Sequence, residues 1–170
     1  MTMRVVIWLR EGLWETAVDT ALRLGGPDAA FTLLHVTSTE VSDVIAGGMA
    51  GLLGRRHRPA PAVAEVDAEA ERALLDAARA RLGRDCAELT RRGRVEREVT
   101  AAAADADLLL VTRDGDRARL GPHSLGPATR FVVDHAPCPV LLVWPEAAPA
   151  LSSIPAPPPP GHRPPPPPPH

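Results

Sequence analysis

Two short segments of this sequence place an arginine, an acid and a glycine in the same order. Arg10-Glu11-Gly12 follows one run of apolar residues, and Arg113-Asp114-Gly115 follows another. A guanidinium can bind a phosphate or carboxylate through two hydrogen bonds, and a glycine lets the backbone approach such a group closely. Two arginines and two acids would therefore face one another if both segments lay at the same edge of the fold.

A glycine-rich stretch continues from the second segment and leads into a predicted helix. Gly121 and Gly126 lie within it, and Ser124 and Thr129 add hydroxyl groups. A glycine-rich loop that runs into a helix N-terminus can bind phosphate through backbone N–H groups and the helix dipole. The same glycines are equally typical of turns with positive φ, and the arginines of a solvated surface. Spacing alone leaves both interpretations open.

Histidine and cysteine are weaker candidates for chemistry. His123 lies in the loop and can titrate near neutral pH, but no recognisable motif places a nucleophile or a carboxylate beside it. His35 lies on an apolar strand and is interpreted as a core residue, and Cys138 precedes another such strand, which favours a packed thiol. Two cysteines form neither a disulfide framework nor a metal-ligand pattern. We therefore expect no catalytic residues and no metal, in a reducing, cytoplasmic setting.

The sequence predicts alternating strands and helices, and these elements position the candidate ligand-binding residues. Short apolar runs predict five strands, at residues 4–9, 31–36, 86–90, 107–111 and 139–144. Apolar residues at helical spacing predict four helices, at 14–24, 65–82, 95–106 and from 127. Residues 37–62 are predicted to form a loop that includes one short helix.

This alternation predicts the topology of the fold and the place of its ligand site. Strands separated by helices imply parallel pairing with right-handed crossovers. The predicted class is α/β, an open five-stranded parallel sheet with helices on both faces. Ligands of such sheets bind beyond the carboxyl ends of the strands where the winding reverses, which is where Arg10 and Arg113 are expected.

Composition divides the 170 residues into two parts. Of the 20 prolines, 12 lie in the last 24 residues, so we expect a globular domain at residues 1–146 and a disordered proline-rich tail at 147–170. Such a tail favours polyproline II, and it serves either as a semi-rigid extension or as a ligand for a groove on a protein partner.

Charge and hydropathy exclude several classes of protein. Residues 1–146 hold 18 arginines against 21 acidic residues, without the basic excess of a nucleic-acid-binding domain. No apolar run approaches the roughly 18 residues that a membrane span needs, and the first residues lack a signal-peptide pattern. We therefore expect no nucleic-acid and no membrane partner.

Residues 4–144 resemble the universal stress protein family. The resemblance is carried by Asp107-Leu-Leu-Leu-Val-Thr-Arg-Asp-Gly115, by Leu125-Gly126 and by His135-Ala-Pro-Cys-Pro-Val-Leu-Leu-Val143, and Leu33-Leu-His-Val36 is also typical. It implies the strand order 3-2-1-4-5 and a homodimer through the last strand, Val140–Trp144. For many members it also implies ATP bound by a loop of the form G-x2-G-x9-G-(S/T).

This sequence departs from that loop at several positions. Thr112 and Gly115 take the places of the first two glycines, and Gly126 follows after ten residues instead of nine. Pro127 stands where the family has Ser or Thr, and it offers a phosphate neither a hydroxyl nor a backbone N–H. Nucleotide-binding members also place an Asp after the first strand, where this sequence has Arg10 or Glu11.

Together these observations predict a non-enzymatic, cytoplasmic sensor or adaptor that binds ATP, another nucleotide or another phosphate ligand through the altered loop. One alternative is a dimeric scaffold without a ligand, whose proline-rich tail recruits partners. Another is a nucleotide phosphohydrolase, against which the absence of any Lys and of a Walker pattern argues. The predicted ligand-binding residues are Arg10, Glu11, Gly12, Val36, Thr112, Arg113, Gly115, Ser124, Gly126 and Thr129.

Overall fold

Five parallel strands form the centre of the molecule, in the order β3-β2-β1-β4-β5. The computed structural model describes residues 1–39 and 61–157. The strands are β1 (Arg4–Leu9), β2 (Ala30–Ser38), β3 (Cys86–Gly93), β4 (Leu108–Thr112) and β5 (Val140–Val143). The predicted open parallel α/β sheet and its strand order are confirmed.

Helices cover both faces of this sheet. They are α1 (Glu15–Leu24), α2 (Pro61–Leu82), α3 (Val95–Ala102) and α4 (Pro127–His135). Side chains of α1 and α2 pack against Ile7 and Leu9 of β1, whereas those of α3 and α4 pack with Trp8 from the opposite face. Because β1 is buried on both faces, its sequence is a continuous apolar run rather than an alternating one.

Two strands extend further than their apolar residues predict. β2 runs to Ser38 and β3 to Gly93, because the two strands pair residue by residue from Phe31 and Cys86 onwards. The added positions are mostly polar, and backbone hydrogen bonds between neighbouring strands hold such residues in a sheet without burial. The prediction that β2 ends at residue 36 and β3 at residue 90 is therefore wrong.

Two helix boundaries also differ from the prediction. α2 begins at Pro61, four residues early, since proline suits the first turn of a helix, where its missing N–H is not needed. α3 ends at Ala102, after which the N–H groups of Ala104 and Ala106 bond to carbonyls three residues back and close tight turns. Of the predicted loop at 37–62, residues 37–38 are strand and 61–62 are helix. Its predicted short helix lies outside the described residues.

The chain after β5 returns along the carboxyl edge of the sheet. Thr16 Oγ1 donates to the carbonyl oxygen of Pro145 at 2.8 Å, and the N–H of Leu120 donates to Ser153 Oγ at 3.0 Å. A single 3-10 turn spans Leu151–Ser153. The first part of the predicted tail thus contacts the domain. The disorder predicted for 147–170 and the division of the chain at 146 stay predictions, and 158–170 lie outside the described residues.

Replacing Leu110 with alanine tests the central position of β4. Leu110 is fully buried against α1 and α2, and it pairs with Ile7 of β1. We expect Leu110→Ala to lower the free energy of unfolding by about 2–5 kcal/mol, because the cavity it leaves cannot collapse in a packed sheet. Urea denaturation measures this loss. Leu24→Ala, on the exposed surface of α1, is the control. An equal loss of unfolding free energy in both variants would contradict the assigned core.

Candidate functional site

The candidate site lies where β1 and β4 leave the sheet side by side. The two strands pair in parallel, with Val5 opposite Leu108 and Ile7 opposite Leu110. Both therefore end at the same edge, which brings the turn after Leu9 next to the loop after Thr112. This edge is where an open parallel sheet binds its ligands.

An ion pair joins the two strand exits. Arg10 Nη1 donates to Asp114 Oδ2, and it also donates to Thr129 Oγ1 at 3.2 Å. The Arg10 guanidinium lies 5.0 Å from the ring centroid of Trp8, which holds it in a cation–π contact. The Asp114 side chain is 7% exposed and that of Arg10 is 32% exposed, so the carboxylate is the better shielded partner of this pair.

The second carboxylate oxygen of Asp114 binds the start of α4. Asp114 Oδ1 accepts the backbone N–H of Gly126 at 2.8 Å. A Cβ at residue 126 would lie 2.7 Å from Asp114 Oδ2, so the absence of a side chain there permits the close approach. A helix N-terminus favours an anion through its free N–H groups and its dipole. We call Arg10, the N–H of Gly126 and Thr129 the anion seat, and its occupant is the Asp114 carboxylate.

The loop between Arg113 and Gly126 is closed upon itself. The N–H groups of Gly115 and Asp116 donate to the carbonyl oxygens of Ser124 and His123 at 3.0 and 2.8 Å. A Cβ at residue 115 would overlap that His123 oxygen. Gly115 therefore permits contacts within the loop, and its N–H already has a partner.

A second polar cluster surrounds the buried side chain of Ser124. Arg113 Nη1 donates to Ser124 Oγ, which donates to the carbonyl oxygen of Gly121 at 2.7 Å. The Arg113 guanidinium also lies 4.9 Å from the ring of Trp144. Among the described residues, Thr112 Oγ1 and Arg113 Nε are buried without a hydrogen-bond partner.

The predicted ligand residues fall into separate groups. Arg10, Gly126 and Thr129 meet in the anion seat, whereas Arg113, Ser124 and Gly115 belong to the closed loop. Thr112 is buried at the end of β4. The remaining three predicted residues lie elsewhere. Glu11 and Gly12 are exposed in a turn that the N–H of Leu13 closes by donating to the carbonyl oxygen of Arg10. Val36 lies in the core beside α3.

Asp114 is missing from the predicted ligand residues, although it lies at the centre of the site. The repeated Arg-acid-Gly order pointed to facing charges, and Arg10 does meet an acid of the other segment. Sequence patterns that predict a phosphate site do not predict a carboxylate of the same chain in the place of the phosphate. The position of Asp114 at the helix N-terminus depends on the folding of the loop.

His35 and the two cysteines, which lie outside the anion seat, have structural surroundings. His35 Nδ1 and Thr37 Oγ1 both lie 3.1 Å from Glu71 Oε2, which links β2 to α2. Burial raises the pKa of the Cys86 and Cys138 thiols, so both stay protonated near neutral pH.

Within the described part of the chain, no three His, Cys, Asp or Glu side chains group as metal ligands, and no helix is long and apolar enough to cross a membrane.

The sequence from residue 12 to residue 143 matches the model of the universal stress protein family. This match covers well over half of the chain and contains the whole glycine-rich loop. The chain belongs to the universal stress protein family. No curated protein matches its sequence.

Several solved structures share the fold of this family member. Hypothetical protein MJ0577 superposes with a TM-score of 0.63 at 17% identity, covering 87% of this chain and 99% of that one. Universal stress protein UspA from Lactobacillus plantarum gives 0.53 at 23% identity, covering 83% and 97%. A universal stress protein in complex with cAMP gives 0.53 at 19% identity, covering 85% and 98%. At these identities the likeness shows the fold.

Replacing Gly115 with alanine tests whether this glycine serves the closed loop. The new Cβ would overlap the backbone carbonyl of His123, so we expect Gly115→Ala to destabilise the protein by about 1–3 kcal/mol in urea denaturation. Gly12→Asn is the control, because residue 12 has open space and its cost is limited to the left-handed φ of 69°, which asparagine adopts more readily than most residues. Full stability of the Gly115→Ala protein would show that the loop is not packed as described.

Proposed function

We propose that this universal stress protein is a non-enzymatic, cytoplasmic sensor or adaptor that acts as a homodimer. Its ligand is a nucleotide or another phosphate-bearing molecule, bound at the carboxyl edge of β1 and β4. The observation that carries this proposal is the anion seat, where the Arg10 guanidinium and the Gly126 N–H converge on one carboxylate. An arrangement that binds a carboxylate in this way also suits a phosphate oxygen.

The proposed ligand contacts follow from this arrangement. Arg10 binds a phosphate oxygen, the N–H of Gly126 donates to it, and Thr129 orients the guanidinium. Arg113 lies in the neighbouring loop and contacts more distant groups of the ligand, whereas the buried Ser124 holds the Arg113 guanidinium in place. The solved universal stress protein in complex with cAMP supports a nucleotide as the ligand class.

A second candidate is a dimeric scaffold without a ligand, whose proline-rich tail recruits a protein partner. It is favoured by the closed state of the site, in which Asp114 occupies the anion seat and the loop N–H groups of Gly115 and Asp116 bond to carbonyls. A phosphohydrolase is the weakest candidate, since the sequence contains neither a lysine nor a Walker pattern to bind the transferred phosphoryl group.

Titration of the purified full chain with ATP, cAMP and GTP separates these candidates. We expect a dissociation constant below about 1 mM for at least one nucleotide, measured by calorimetry and by the tryptophan fluorescence of the protein, to which Trp8, in contact with Arg10, contributes. Binding weaker than this for all three would leave the scaffold. Release of inorganic phosphate during the titration would instead support the phosphohydrolase.

The proposed dimer forms through the free edge of β5. The carbonyl oxygen of Pro139 accepts an N–H group of β4, and that of Val143 accepts the N–H group of the residue directly after β4. Because successive residues of a strand point their backbone groups to opposite sides, the N–H and C=O groups of Val140 and Leu142 point away from β4. β5 is the last strand of the order, and its first three residues are half-buried. A second β5 can pair there, as family resemblance implies.

Proline at Leu142 tests this interface without removing a β4–β5 hydrogen bond. We expect Leu142→Pro to give monomers in light scattering, because it removes an outward N–H that a partner strand needs. Leu142→Ala keeps that N–H and should stay dimeric, which controls for the lost side chain. Val143 is less suitable, since it is buried in the core. A dimer that persists in the proline variant would place the interface elsewhere.

A further inference from the structure

The occupant of the anion seat is part of the protein itself, and we propose that Asp114 determines the specificity of the site. Its carboxylate competes with the phosphate of an incoming ligand, so phosphate-bearing ligands bind only by displacing it. Uncharged ligands such as a nucleoside do not meet this competition. The inference rests on the proposed function, because it concerns the same crevice.

Asp114 and a ligand phosphate compete because both need the same hydrogen-bond donors. Asp114 accepts both from Arg10 and from the N–H of Gly126, and these are the groups proposed to bind a phosphate. A phosphate placed beside the ionised carboxylate would be repelled, and the repulsion is strong because the Asp114 side chain is only 7% exposed. A phosphate and the carboxylate therefore cannot share the seat.

The neighbouring backbone provides few replacement donors. Pro127, the first residue of α4, has no N–H, and Gly115 and Asp116 direct theirs to carbonyls within the loop. A ligand phosphate thus gains the donor at Gly126 only when Asp114 leaves it. The apparent affinity for phosphate falls in proportion to the fraction of molecules whose seat is open.

A merely structural role for Asp114 makes a different prediction. If its carboxylate only stabilised the loop and the start of α4, its removal would lower stability and leave phosphate affinity unchanged or weaker. If it competes with ligands, its removal raises phosphate affinity even though the loop is less stable. The two roles are therefore separated by binding measurements, not by stability.

The experiment compares the full wild-type chain with Asp114→Ala and Asp114→Asn, using ATP, inorganic pyrophosphate and adenosine as probes. We expect both variants to bind ATP and pyrophosphate at least about tenfold more tightly than the wild type, with adenosine binding unchanged. Asp114→Asn keeps the shape of the side chain and remains informative if Asp114→Ala does not fold. Calorimetry gives the affinities, and tryptophan fluorescence, to which Trp8 beside Arg10 contributes, gives a second measure of binding.

Asp116→Ala is the matched control. Asp116 is an exposed acid of the same loop whose Oδ1 accepts the N–H of Ala118, so its removal changes net charge equally without opening the seat. An equal gain in Asp116→Ala, or no gain in a folded Asp114 variant, would overturn the proposal. Phosphate binding by the variants but not by the wild type would overturn the proposed nucleotide function and support the role of Asp114. If the wild type binds nucleotides and the Asp114 variants bind them no more tightly, the proposed nucleotide function is supported and the proposed role of Asp114 is overturned.

Discussion

The parallel pairing of β1 with β4 determines where every other feature of the site lies. Ile7 and Leu110 pair at the middle of the sheet, and both are fully buried. The register of this pair is fixed by side chains on two packed faces, because a slip of one residue would turn each side chain to the wrong layer. Arg10 and Asp114, 104 residues apart in sequence, consequently leave the sheet at one edge and form an ion pair.

The sequence predicts those strand and helix boundaries that are determined by the burial of apolar side chains. It does not predict the boundaries that are determined by backbone hydrogen bonding. β1 and β4 are mostly apolar runs that are buried after their first residue, and the strands there match their prediction to within one residue. The ends of β2 and β3 are polar, so no hydrophobic pattern marks them, and their pairing through Ser38 and Gly93 keeps them in the sheet. The early start of α2 at Pro61 likewise agrees with proline's suitability for the first turn of a helix.

The site was predictable in its position but not in its contacts. Parallel topology alone brings Arg10 and the loop after β4 to one edge, and the facing Arg-acid-Gly segments indicated opposite charges there. Which acid forms the ion pair with Arg10 depends on the path of the loop. Backbone N–H groups of the loop donate to the carbonyl oxygens of Ser124 and His123, and these bonds determine the path. Spacing in the sequence does not specify such a path, since it arises from contacts between residues that only the folded loop brings together.

The Asp114 carboxylate and the ring of Pro127 act on the same set of donors. Proline removes one N–H from the start of α4, and the carboxylate occupies the next one at Gly126. Either change alone would weaken phosphate binding at a helix N-terminus, since such sites depend on several converging N–H groups. They differ in one respect, because a missing N–H is permanent whereas a carboxylate can move. Under the proposed competition, Pro127 limits the affinity of this crevice for phosphate permanently, whereas Asp114 limits it only while its carboxylate occupies the seat.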